Sequence, residues 1–138
     1  MLFQPKKPAV ITSFERILLH TSGMRFSTDQ EIVMKDGKAE VTEYSIRYHQ
    51  GGDERIPTRR VLVETEDILK LLNDCTILSW DGFVGNHPRG VRDGIQFRLE
   101  GIVNDGKKIY AHGSQNFPKH YRDFTDGLYE ILSKGEEL

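Results

Sequence analysis

"GIQFRLEGIVNDGKKIYAHG", residues 94–113, is the stretch on which the fold turns. Ile95, Phe97, Leu99, Gly101 and Val103 alternate with Gln96, Arg98, Glu100 and Ile102. A period of two marks a strand buried on one face. The strand that follows must fold back on it, and parity selects the turn. A two-residue Asp105-Gly106 loop would set Val103 against Lys108 and Leu99 against His112, with polar groups on the apolar face. A three-residue loop, Asn104-Asp105-Gly106, sets Gly101 against Ile109, Leu99 against Ala111 and Phe97 against Gly113. That register keeps the face apolar, so it is expected, with Gly106 in the left-handed region where it has no Cβ to clash.

The same reasoning runs upstream. In "QEIVMKDGKAEVTEYSIRYHQGGDE" (30–54), Asp36-Gly37 is a two-residue hairpin turn. It sets Ile32 against Val41 and Met34 against Ala39 on one face. Tyr44, Ile46 and Tyr48 then alternate one residue out of phase with Val41. The slip predicts a bulge near Thr42-Glu43 or cover on both faces. "TRRVLVE" (58–64) is a further strand. "VITSFERILLHTSG" (10–23) fits a helix or a strand, and its β-branched start and Ser-Gly end favour strand.

Two helices are expected. Thr65 caps the first, with Glu66 and Asp67 at its positive end and Ile68, Leu71, Leu72 and Cys75 as its buried stripe. "TILSW" (76–80) is a short extended exit. The second has Pro118 in its first turn and Tyr121, Phe124, Leu128, Ile131 and Leu132 on its buried face. Gly127 interrupts that stripe, which a close approach to the sheet would explain. The sum is an α+β domain over 10–134, a two-layer fold of antiparallel β-sheet with two α-helices packed on one face. Residues 1–9, with Pro5 and Pro8, are a loose lead-in, and 135–138 a frayed acidic tail.

The chain is 138 residues long with 19 Lys and Arg against 21 Asp and Glu, a net charge of −2. This balance lacks the basic field that binding to a nucleic acid backbone needs. No apolar run is long enough for a leader or a bilayer span, so a cytoplasmic protein is expected, without a membrane partner. The single cysteine, Cys75, excludes an internal disulfide and a cysteine zinc site, and reads as a buried hydrophobe.

Trp80-Asp81-Gly82-Phe83, then Asp93-Gly94 with Phe97, then Asn104-Asp105-Gly106-Lys107, then Gly113-Ser114 with Asn116-Phe117-Pro118 and Tyr121 form a set. Together they resemble a module of uncharacterised bacterial proteins, a domain of unknown function, over residues 65–133. The resemblance implies a bacterial origin and a strand–helix–hairpin–helix arrangement. It carries no catalytic residue.

Candidate chemistry gathers in two places. "WDGFVGNHPRGVRDG" (80–94) is a long loop without periodicity, a length at which loops are often functional. Trp80 and Phe83 anchor it to the core, while His87, Arg89 and Arg92, beside Asp93, are candidates to grip an anion, because guanidinium donors fork to match carboxylate or phosphate. The second place is "GSQNFPKHY" (113–121), where Ser114, Asn116 and His120 stand before a helix start that attracts anions. Strand lengths of ~3.3 Å per residue bring the two places together beside Asp93. The histidines lack metal-ligand spacing, so no metal and no cofactor are expected. No nucleophile elbow, P-loop or dinucleotide-binding glycine pattern occurs. The expected function is therefore a non-catalytic binding or interaction module. Its open sheet face, with Tyr44, Tyr48 and Tyr110, would meet a protein partner or a second copy in a homodimer. The alternative is a small anion receptor or enzyme built on the two segments.

Overall fold

A computed structural model of the chain describes residues 10–137, so the lead-in read at 1–9 falls outside it. Ten elements follow in order: β1 (Phe14–Ser22), β2 (Ser27–Lys35), β3 (Lys38–His49), β4 (Gly52–Val63), α1 (Thr65–Asp74), β5 (Val84–Gly85), β6 (Gln96–Val103), β7 (Lys107–Ser114), α2 (Tyr121–Lys134) and β8 (Glu136–Glu137). The strands form one open, mostly antiparallel sheet in the order β5-β7-β6-β1-β2-β3-β4-β8, and the fold is α+β.

The β6–β7 hairpin has the expected register, with Phe97, Leu99 and Gly101 opposite Gly113, Ala111 and Ile109. Its turn residues Asn104, Asp105 and Gly106 all have positive φ, of 48°, 62° and 108°. Asn104 tolerates this because its side chain is a clasp. Its Oδ1 accepts from the Thr12 backbone N–H at 2.7 Å, and its Nδ2 donates to the Val10 carbonyl at 3.0 Å. The turn therefore fastens the approach to β1.

β1 is a strand, inserted between β2 and β6. Its lack of clean alternation has a physical cause. Ile17 and Leu19 are fully buried in the core, and Leu18 is only 5% exposed on the opposite face. The Asp36-Gly37 turn sets Ile32 against Val41 and Met34 against Ala39, as expected. The bulge belongs to another strand. The β2–β3 ladder runs unbroken, while the β3–β4 register shifts between Glu43 and Tyr44, placing the extra residue, Thr58, on β4. The phase slip instead reflects cover on both faces, since Val41 and Thr42 are both buried.

Several local expectations give way. Glu64, not Thr65, occupies the cap position of α1, and the Thr65 hydroxyl donates to the Gly37 carbonyl at 3.1 Å, tying the helix to the β2–β3 turn. "TILSW" is not extended. Thr76 turns left-handed at φ 52°, and Ile77–Trp80 form a 3-10 turn. Positions three apart eclipse in that geometry, so Ile77 and Trp80 both enter the core. α2 starts at Tyr121, beyond Pro118, because His120 reverses the chain at φ 67°. Gly127 makes its close approach to α1, not to the sheet: a Cβ there would lie 2.4 Å from Leu71 Cδ1. Glu136 and Glu137 pair with Leu62 and Val61 as β8 rather than trailing as a tail.

One hydrophobic cluster holds the molecule together. It joins the inward residues Ile17, Leu19, Ile32, Val41, Val61 and Leu99 of the sheet to Ile68 and Leu72 of α1 and Phe124, Leu128 and Leu132 of α2. The opposite parity of the central strands is ionic. Asp29, Glu31 and Glu40 stand there with side chains only 10–13% exposed. Arg16 meets Glu31 at 2.6 Å, Arg55 meets Asp29 at 3.1 Å, and Lys35 and Arg60 meet Glu40 at 3.1 and 3.3 Å. The Arg55 guanidinium also lies 3.7 Å over the Tyr44 ring.

Candidate functional site

The 80–94 loop divides into two parts. Residues 80–85 are a strap along the outer edge of β7. The Asp81 carboxylate accepts from the Tyr110 backbone N–H at 2.9 Å. Gly82 N–H donates to the Tyr110 carbonyl, and the His112 N–H donates to the Phe83 carbonyl. Val84 and Gly85 then pair with His112 and Gly113 as β5, a parallel strand where an all-antiparallel sheet was expected. The strap thus supplies partners for an edge that would otherwise be bare. Trp80 roots it, with its indole N–H donating to the Lys119 carbonyl at 3.0 Å and its ring packed on Tyr121 and Phe124. Phe83 rests on Phe97, 6.1 Å between centroids.

Residues 86–94 make a wall. His87 Nε2 bonds to the Val91 carbonyl, so it carries the proton, and His87 Nδ1 accepts from the Ser114 hydroxyl at 2.8 Å. In a hydrolase such a Ser–His contact would suggest a nucleophile. Here the imidazole is spent at both ends, one joining the loop to β7 and the other closing the loop on itself at Val91, and the pair works as a fastening.

Behind this wall, on the ionic parity of the sheet, runs a trough. Its first part, of about 480 Å³, is lined by His20, Arg98, His112, Tyr110, Val84 and Ser114 among others. A second part, of about 530 Å³, continues past Ser22, His87, Gln96 and Ser114 to Arg92, Asp93 and Met24. Register explains the floor. His112 stands opposite Arg98, Arg98 opposite His20, and His20 opposite Asp29. Such cross-strand neighbours sit ~5 Å apart. His20 is held from behind, its Nδ1 2.6 Å from Asp29, whose other oxygen takes Arg55. Arg98 Nε is screened from solvent and makes no hydrogen bond, and its ionic contact is Glu100 at 3.3 Å.

Of the residues singled out from sequence, His87, Arg92, Asp93 and Ser114 are brought together along this trough. Arg89 is exposed and lines neither part. Asn116 serves the wall: its amide donates to the Asn86 carbonyl at 3.2 Å, and its own carbonyl sits against Gly85 and Gly113, where a Cβ would approach to 2.2 and 2.3 Å. His120 lies ahead of α2 and contacts Asp123 at 3.0 Å, away from the trough. The start of α2 therefore contributes no donors to it, because the chain spends 116–120 on a turn first. The sequence reading missed His20, Arg98 and His112. The last two were within reach of it, since the register that pairs Leu99 with Ala111 also pairs Arg98 with His112. His20 needed the pairing of β1 with β6, which no local signal announces.

Among the described residues, no group of three His, Cys, Asp or Glu side chains is placed to hold a metal ion, and no helix is long and apolar enough to cross a membrane. Burial raises the Cys75 thiol to about 11, helped by the charges of Asp123 and Asp74. A thiol held protonated in this way is a packing group. No family model matches the chain, and neither the curated proteins nor the solved structures contain a match to it.

Proposed function

We propose that the chain is a non-catalytic binding module of the uncharacterised bacterial kind it resembles, with a small anionic ligand held in the trough behind the 86–94 wall. In this reading the molecule has two layers. Both helices cover the apolar parity of the sheet and leave the ionic parity to the ligand. The observation that carries the reading is Arg98. Its side chain is 42% exposed, and its Nε is met only by Glu100, at 3.3 Å and outside hydrogen-bond geometry, so that carboxylate satisfies the guanidinium only in part. It lies in a row between His112 and His20. A carboxylate or phosphate over that row would take charge-assisted hydrogen bonds. The ionic character of the face favours a polar ligand over a second copy of the chain, which an apolar patch would suit better.

The test is thermal unfolding with inorganic phosphate or acetate titrated in. A ligand that binds only the folded state raises the melting temperature by several degrees at saturating concentration. Arg98→Met is expected to remove the rise. Arg89→Ala, outside the trough, is expected to keep it. No rise with either anion, or a rise that survives Arg98→Met, refutes the reading.

A further inference from the structure

The trough has a second chemical character beside the row of His112, Arg98 and His20. Val84 and Tyr110 are 57% and 45% exposed, and both line the part that holds Arg98. Val84 is the lateral neighbour of His112 across the β5–β7 pair. Tyr110 lies two residues along β7, and its ring centroid is 5.5 Å from that of His112. An isopropyl group, a phenol and an imidazole therefore lie together on the open side of the sheet, with His112 one cross-strand spacing of ~5 Å from Arg98, Tyr110 on the diagonal and Val84 a second spacing beyond His112. The backbone under this shelf is held still. Tyr110 N–H and C=O are both taken by the strap, through Asp81 and Gly82, and His112 N–H by Phe83. Exposed apolar side chains on a rigid segment are arranged for stacking and cost little entropy when covered.

We propose that the ligand of this trough is an aromatic acid, with its ring on the shelf of Val84, Tyr110 and His112 and its carboxylate or phosphate on Arg98. This rests on the anion-binding reading above and adds the ring to it. The single strand spacing from the His112 edge of the shelf to Arg98 fits one or two atoms between ring and acid. Glu100 faces both Tyr110 across the β6–β7 pair and Arg98 Nε at 3.3 Å. Its charge offsets part of that of Arg98 and lies beside Tyr110 as well, which suits the site to a ligand with one acidic group and not two.

Calorimetric titration of the full chain compares phenylacetate with acetate, and phenyl phosphate with inorganic phosphate. The expected result is at least tenfold tighter binding of each aryl acid than of its parent anion. Tyr110→Ala and Val84→Ser remove that difference and leave the parent anions unchanged. Both side chains are exposed, and the bonds of the strap run through the Tyr110 backbone, so the fold is kept. Preference for phenyl phosphate over phenylacetate would mark a phosphate as the natural acid, and the reverse a carboxylate; either supports the shelf. Equal affinity for aryl and parent anions overturns the aromatic shelf while the anion site stands. Absence of binding by all four overturns both.

Discussion

At the scale of single residues, several groups are spent on holding the fold. Trp80 is 1% exposed, ends a 3-10 turn, and satisfies its indole N–H on Lys119. Trp80→Ala should cost about 3–5 kcal/mol of unfolding free energy by chemical denaturation, the range for removing a buried aromatic ring. A loss below ~1 kcal/mol would mean that the ring does not root the strap. Cys75 offers a test in pH. Its thiol is raised to about 11 in the fold, against roughly 8.5 in an unfolded chain. The folded state thus favours the protonated form. The resulting stabilisation is complete below ~8.5 and fades as pH climbs toward the folded value, by on the order of 3 kcal/mol. Cys75→Ala should flatten this alkaline slope in urea unfolding curves, although the cavity lowers its stability at every pH. Asn104 shows how much one residue can hide. "NDG" announces a turn in the sequence, yet the clasp on residues 10–13 becomes visible only when the β6–β7 turn meets the approach to β1 in space.

Among the elements, legibility followed the range of the forces. The β2–β3 and β6–β7 registers were readable because a single buried face and a short turn specify them locally. β1 was ambiguous because Leu18 is covered on the polar side, which blurs its period. The strap at 80–85 looked like an unstructured loop because its hydrogen bonds go to β7, well beyond the reach of local patterning. The start of α2 was misplaced because Pro118 suits a first helical turn equally well when it is buried in the bend before one. The contact of α1 with α2 supplies a direct test. Gly127→Ala gains about 1 kcal/mol in helix propensity but drives a methyl against Leu71. The tip of the half-buried Leu71 must turn aside, which offsets most of that gain, so the single substitution should change the melting temperature little. In a Leu71→Ala background the same change should raise it. Equal effects in both backgrounds would show that the glycine does not answer to Leu71.

Across the whole molecule, the trough depends on pieces drawn from distant parts of the chain: His20 from β1, Arg98 from β6, His112 from β7 and the wall from the segment before β6. Half of the candidate site was therefore visible as a loop with the right side chains, and half was not, because only the assembled sheet aligns His20, Arg98 and His112. That same assembly has a consequence for how the chain reaches its native state. The strand at the sheet's midline, β1, joins β2 through a tight local turn, but its other flank belongs to β6, with Ile17 against Gly101. Pairings of such long sequence separation close late and slowly. On the ribosome, the first four strands and α1 emerge with an unzipped seam along β1, rich in Ile and Leu, until residues 96–103 arrive to fill it. The time needed to synthesise the segment between α1 and β6 sets how long that seam stays open.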